Sequence, residues 1–215
     1  MLDKKRLTDQ VYDYLKKMII EFSLKPGEKI EIKKLSQDLS ISPTPIREAI
    51  HKLIEQGLVV SKPYTGYFVV RLTPRDVEEL FDLRKAFEFL GLEYVFQNFD
   101  SEKIEELSDR LKNLMKENDE QKLIDGVREF DEKFHIDFLI ESSKNKWLMK
   151  LANGVIDLIR MTMHLTINPR TACKEHEEII EAIKNMDRKK AKKLLDLHLE
   201  RAKEDAIEYV KTQLG

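Results

Sequence analysis

Apolar positions along the chain fall into a mixed pattern at the start and a purely helical one afterwards. From Thr8 to Phe22 they occur at Val11, Leu15, Met18, Ile19 and Phe22, one face of a helix that Thr8 is placed to cap. Pro26-Gly27 breaks the chain, Lys29-Ile30 suggests a short strand, and Ile32, Leu35 and Leu39 mark a second short helix ending in a turn at Ser40-Ile41. A third helix opens at Ser42, because Pro43 and Pro45 then occupy the first turn, where backbone N–H groups have no intrahelical partner. Its core face is Ile46, Ala49, Ile50, Leu53 and Ile54, and Gly57 suits the left-handed residue that ends it. Leu58–Val60 and Tyr67–Val70 then read as two strands around a Thr65-Gly66 turn. This order predicts a winged helix-turn-helix over residues 1–72.

Beyond it the period stays helical. Thr73-Pro74 is a cap followed by proline at the first helical position, and Val77, Leu80, Phe81, Leu83, Phe87, Leu90 and Val95 continue at helical spacing. Further helices are predicted at about 101–117, 120–141, 145–167, 171–185 and 188–212, with Ser101, Asp119 and Asp187 as caps and Asn168-Pro169 as a break. The expected fold is mostly α: a winged helix-turn-helix followed, over 73–215, by an antiparallel bundle of about six helices.

The composition fits two small globular domains. Of 215 residues 41% are hydrophobic and 36% charged, with only 7 Gly and 6 Pro, which excludes a disordered, collagenous or membrane-embedded chain. Apolar runs such as Phe138–Ile140 fall far short of the ~20 residues of a membrane span, and no signal pattern opens the chain, so a cytoplasmic protein without a membrane partner is expected. The single Cys173 reads as a small buried side chain. Charge is segregated. Residues 1–75 carry 14 Lys/Arg and 9 Asp/Glu, whereas the whole chain has a net charge of −2, so only the first part suits a polyanion.

In a winged helix-turn-helix the third helix enters the major groove with its N-terminal turn toward the bases. That places Ser42, Thr44 and Arg47 against double-stranded DNA, with Arg47 suited to bidentate recognition of guanine and the hydroxyls to phosphates or base edges. Lys33, Lys34, Lys52 and Lys62 are candidates for phosphate neutralisation. The alternative for Arg47 is a solvated charge paired with Glu48 or Glu55, and His51 reads as solvent-facing or phosphate-near. The run Leu35-Ser36-Gln37-Asp38-Leu39-Ser40-Ile41-Ser42-Pro43-Thr44-Pro45-Ile46-Arg47-Glu48-Ala49-Ile50, followed by Leu53, Gly57-Leu58-Val59 and Gly66, resembles the DNA-binding domain of GntR-family bacterial transcription regulators. The resemblance implies that Lys33, Thr44 and Arg47 contact operator DNA and that Gly66 lies at the wing tip. Pro43 and Pro45 replace polar residues of some relatives, so the base sequence read is not inherited from them; Lys33 replaces a common Arg and gives up its bidentate fork.

The second half holds four of the five histidines. Asp131 and His135 are four residues apart and share a helix face, while His176 and His198 lie on the last two helices. Three imidazoles and a carboxylate suit a divalent transition metal, Zn or Ni first and Mn or Fe after them, better than Ca or Mg. The alternative for each histidine is a hydrogen-bonded side chain at the core edge. The segments Leu80-Phe81-Asp82-Leu83-Arg84-Lys85-Ala86-Phe87-Glu88, Phe130-Asp131-Glu132-Lys133-Phe134-His135, His176–Ile183 and Ala191–His198 resemble the FCD effector domain of the FadR-like GntR subfamily. In its metal-binding branch the resemblance makes Asp131, His135, His176 and His198 the ligands and implies a small organic acid as effector. Arg84 is the candidate carboxylate clamp, with an internal salt bridge to Asp82 or Glu88 as its alternative. His164 is a candidate for lining the same cavity and Arg160, one turn before it, a further pocket candidate; core packing beside Met161 and Met163 is the alternative for His164.

The leading reading is a homodimeric, ligand-responsive regulator on a pseudo-palindromic operator. A metal-sensing regulator, in which the metal is the signal, is a second. A helical metalloenzyme is a third, against which stands the lack of any HExxH, paired-carboxylate, glycine-rich phosphate or serine-histidine pattern.

Overall fold

The structure is a computed structural model that describes residues 4–165 and 168–213. The first part comprises α1 (Lys4–Ile20), α2 (Ile32–Asp38), α3 (Pro43–Glu55), β1 (Val59–Lys62) and β2 (Gly66–Val69). The second comprises α4 (Pro74–Gln97), α5 (Ser101–Met115), α6 (Glu120–Asp131), a π-helical segment (Glu132–Ile140), a 3-10 turn (Glu141–Ser143), α7 (Lys146–Ala152), α8 (Ile156–Met163), α9 (Pro169–Lys184) and α10 (Arg188–Gln213).

Val11, Leu15 and Ile19 of α1 meet Ile46, Ala49, Ile50 and Leu53 of α3 in one apolar cluster that Leu58 and Val69 close. α1 starts at Lys4, so Thr8 lies one turn inside it and is not its cap; its hydroxyl instead donates to Glu48 Oε2 at 2.8 Å and ties α1 to α3. β1 and β2 pair antiparallel from Val59↔Val69 to Lys62↔Gly66. Lys29 makes only an isolated bridge to Phe68, with the Ile30 N–H donating to the Tyr67 carbonyl at 2.9 Å. Gly57 has φ +74° and ends α3 as expected.

In the bundle, Thr73 and Asp76 form a reciprocal capping box at the start of α4. Asp119, Asn168 and Asp187 accept backbone N–H bonds at the starts of α6, α9 and α10. For α5 the cap is Asp100, one residue before the expected Ser101, its carboxylate accepting the Lys103 N–H at 3.2 Å. The single helix expected over 145–167 is interrupted at 153–155, where Asn and Gly are poor helix formers, and its last two residues lie outside the described residues. The helix expected over 120–141 changes to π geometry at Glu132. α4 meets this segment backbone to backbone: a Cβ on Gly91 would stand 2.1 Å from the Leu139 carbonyl oxygen.

α8 belongs to both halves. Ile156, Ile159 and Met163 bury in the bundle with Val77, Ile136 and Ile140, whereas Met161 buries among Val11, Leu15 and Ile50. Leu72, at the end of the connection from β2, also packs into the bundle.

Candidate DNA-binding face and metal centre

Ser42, Thr44 and Arg47 stand exposed at the N-terminal end of α3, and Lys33 is exposed on α2. Ser42 occupies the cap position with extended backbone, yet its hydroxyl makes no cap bond, so it faces outward unused by the helix. Among the described residues Arg47 pairs with neither Glu48 nor Glu55. Lys52 is turned toward α1: its ammonium sits 2.5 Å from Asp9, whose hydrogen bond and charge raise its pKa, and lies over the Tyr12 ring. Gly66 opens β2 with φ +121°, a conformation L side chains avoid. Sequence reading passed over Tyr64, which is fully exposed between Pro63 and Thr65 of the wing; the signal was an aromatic inside an otherwise polar turn.

The three histidines come together. His135 on the π-helical segment, His176 on α9 and His198 on α10 are each at most 3% exposed, and one ring nitrogen from each lies within 4.8 Å of the others. His135 Nε2 is 3.0 Å from His176 Nε2 and 3.1 Å from His198 Nε2. Two of the rings are fixed from behind. His135 Nδ1 donates to Glu88 Oε2 at 2.7 Å, and Glu88 accepts from Arg84 Nε at 2.7 Å. His198 Nδ1 donates to Glu175 Oε2 at 2.7 Å, and Arg201 donates to both oxygens of Glu175 at 2.6 and 2.8 Å. With Nδ1 carrying the proton, Nε2 of both rings is a bare lone pair, and the two point at one another 3.1 Å apart. Such a contact is repulsive unless a cation lies between the nitrogens.

Asp131 lies on the same side. Its Oδ1 is 3.7 Å from His176 Nε2 and is buried without a hydrogen-bond partner, as is His176 Nδ1. Burial raises the Asp131 pKa to about 7 even though Arg84 opposes the rise. Burial holds His135 and His176 well below the usual imidazole range, and lowers His198 against the pull of Glu175. The donor set is therefore neutral imidazoles plus a carboxyl group with one buried oxygen left without a hydrogen-bond partner, which fits a divalent transition metal. The sequence names Glu88 only as a salt-bridge partner for Arg84 and does not point to Glu175, although Glu88, with Arg84, continues the buried α4 stripe of Val77, Phe81 and Val95.

Arg84 is buried beside this cluster and engages Glu88 rather than Asp82. Arg160 and His164 are placed elsewhere. α8, restarted at Ile156, turns them toward α1, where they line a cleft of about 780 Å³ whose walls contain none of the three clustered histidines. Arg160 donates to Glu132 Oε1 at 2.6 Å and to Asp157 Oδ1 at 2.7 Å. His164 meets Phe22 edge-on at 6.1 Å between centroids, and burial lowers its pKa to about 4. Cys173 is buried, its thiol pushed up to about 11 by burial. Among the described residues no helix is long and apolar enough to cross a membrane.

Comparison with known proteins agrees with both halves of this architecture. Residues 7–69 match the profile of bacterial regulatory proteins of the gntR family, and residues 79–201 match the FCD domain. The HTH-type transcriptional regulator YdhC of Bacillus subtilis is 31% identical over 198 residues, covering 88% of this chain and 86% of the relative. The Nta operon transcriptional regulator of Aminobacter aminovorans is 28% identical over 66% of this chain and 67% of its own length. In structure, a GntR regulator from Rhodococcus superposes with a TM-score of 0.78 at 24% identity, over 94% of this chain and 97% of its own. The metal-free FCD domain of the regulator TM0439 superposes with a TM-score of 0.59 at 25% identity, over 66% of this chain and 98% of its own. The chain belongs to the GntR family of bacterial transcription regulators, with a FadR-like FCD domain following its winged helix-turn-helix. It is a DNA-binding transcription regulator, as are the relatives it matches.

Proposed function

We propose that the protein is a homodimeric, effector-responsive regulator in which residues 73–215 hold a divalent transition metal on Asp131, His135, His176 and His198 and present it to a small organic acid. The observation that carries this reading is the convergence of bare Nε2 lone pairs from His135 and His198 in a dry cluster beside an unpartnered Asp131 oxygen. Glu88 and Glu175 hold two of the imidazoles in the tautomer that a metal requires. The metal, when bound, offers open coordination positions to a carboxylate. Arg84, next to the cluster and always charged, adds a positive field and a planar fork for the same group. The FCD domain of TM0439 being described as metal-free supports a domain for which metal content is a meaningful variable.

On the DNA side, residues 1–72 dock on a pseudo-palindromic operator in the cytoplasm. Ser42, Thr44 and Arg47 face the bases, Lys33 and Lys52 the phosphates, and Gly66 lets the wing approach the duplex. For Lys52 this means leaving Asp9. Leu83, Phe87, Leu90 and Tyr94 on α4, spaced 4, 3 and 4, form a partly exposed seam that supports pairing with a second copy. The test is elemental analysis of tag-free protein purified without chelators, beside the His176→Ala variant. One transition-metal equivalent per chain, lost in the variant, is expected; no metal after incubation with zinc or nickel overturns the metal reading.

A further inference from the structure

The DNA-binding domain is joined to the bundle by more than the short connection before Thr73. One ion pair crosses from α1 to α8, and two more inside the bundle continue it to the π-helical segment. Lys16 Nζ on α1 lies 3.4 Å from Asp157 Oδ2, whose side chain is only 5% exposed. Asp157 Oδ1 accepts from Arg160 at 2.7 Å, and Arg160 Nε donates at 2.6 Å to Glu132. Glu132 is the first residue of the π-helical segment, directly after Asp131 and one turn before His135. Around this chain of charges the apolar contact is discontinuous, since the cleft of about 780 Å³ separates α1 from α6. Apolar packing between the domains runs through Met161, Leu158, Val70 and Phe22. The Lys16–Asp157 pair spans from α1 to α8 at the edge of this cleft. Asp157 is buried at 5% side-chain exposure, so its pairs with Lys16 and Arg160 are screened less than a surface pair, whereas Glu132 is 38% exposed and its pair with Arg160 is screened more.

We propose that Lys16, Asp157, Arg160 and Glu132 form an interdomain latch that fixes how the recognition helix α3 is presented and carries the state of the histidine cluster to it. Glu132 moves with Asp131 and His135 because all three lie on one continuous helical stretch, so a shift of those ligands is a shift of the latch. The two domains then have a closed arrangement with the pairs made and an open one with the cleft widened, and a ligand biases them by its differential affinity. The second half of the proposal rests on the metal reading above; the first does not.

The test uses the full-length chain. Lys16→Glu sets a negative charge against Asp157, and Lys16→Arg keeps the pair. Deuterium exchange of residues 13–21 and 156–164 is expected to rise about tenfold in Lys16→Glu and to stay near wild type in Lys16→Arg. Affinity for an operator selected by the wild-type chain from random DNA is expected to change about fivefold in Lys16→Glu alone. The salt dependence of that affinity stays unchanged; a slope lower by about one unit makes Lys16 a phosphate contact and overturns the latch. Unchanged exchange, or raised exchange with unchanged affinity, also overturns it. Zinc separates the two halves. It is expected to slow exchange at 132–140 and 13–21 in wild type, and only at 132–140 in Lys16→Glu. Zinc that slows 132–140 without affecting 13–21 in wild type overturns the transmission. Zinc without effect at 132–140 overturns the metal reading, and the latch is then decided by the Lys16 comparison.

Discussion

The two halves of this molecule carry their functional side chains in opposite places. In the winged domain Ser42, Thr44 and Arg47 stand on the outside of an apolar core that is complete without them. In the bundle Arg84, Glu88, Asp131 and the three histidines occupy the interior, buried among the apolar clusters. Polar groups on a finished core cost the fold nothing, whereas buried ones lose hydration and need partners. The first kind of site can change its specificity freely. The second ties occupancy to stability, because whatever fills it completes the core.

Each half can be pushed against this contrast. The largest effect is expected from zinc, which at a free concentration about a thousandfold above its Kd should stabilise the wild-type chain by about 4 kcal/mol in urea unfolding. The His176→Ala variant should gain far less, and a wild-type chain indifferent to zinc would remove the contrast. Gly91→Ala, which drives a methyl into the Leu139 carbonyl, should cost about 3 kcal/mol whether or not metal is present. A loss below about 1 kcal/mol would mean that α4 and the π-helical segment can separate cheaply. Arg47→Ala should remove about 2 kcal/mol of operator affinity and relax base preference, while unfolding changes by less than about 0.5 kcal/mol. The smallest effect concerns His164. Burial holds its folded pKa at about 4, below the ordinary 6.5, so the unfolded chain takes up the proton first. Its contribution is complete above pH 6.5 and is lost as pH falls toward 4, on the order of 1–2 kcal/mol between pH 7 and 5. His164→Gln should flatten that part of the stability profile, and an unaltered profile would place the imidazole in water.

The same contrast explains what was legible in the sequence. The winged domain follows local rules: prolines in the first turn of α3, Gly57 at its end and a polar turn between two apolar runs. The four metal-ligand candidates were weaker on spacing alone, where a core histidine is the ordinary alternative, and it was the resemblance to the FCD domain that singled them out. Their supporting carboxylates were harder to see. Glu88 supports His135 across 47 positions, and no spacing rule announces that pairing, although two charges on the buried stripe of α4 hinted at it. The π-helical segment was hidden because Phe130, Phe134 and Phe138 recur every four residues and read as an ordinary helix. The division of the expected helix over 145–167 was signalled by Asn153-Gly154, but that one resulting piece would serve both domains depends on tertiary packing alone.

That shared piece, α8, has a consequence for how the molecule melts. It sends Ile159 and Met163 into one core and Met161 into the other, so neither core is whole once α8 is lost. The boundary visible in the sequence is thus not a boundary of cooperativity. Heat should take both halves apart in a single transition, and a chain cut at residue 72 would carry Leu158 and Met161 into water as a sticky scar of the missing domain.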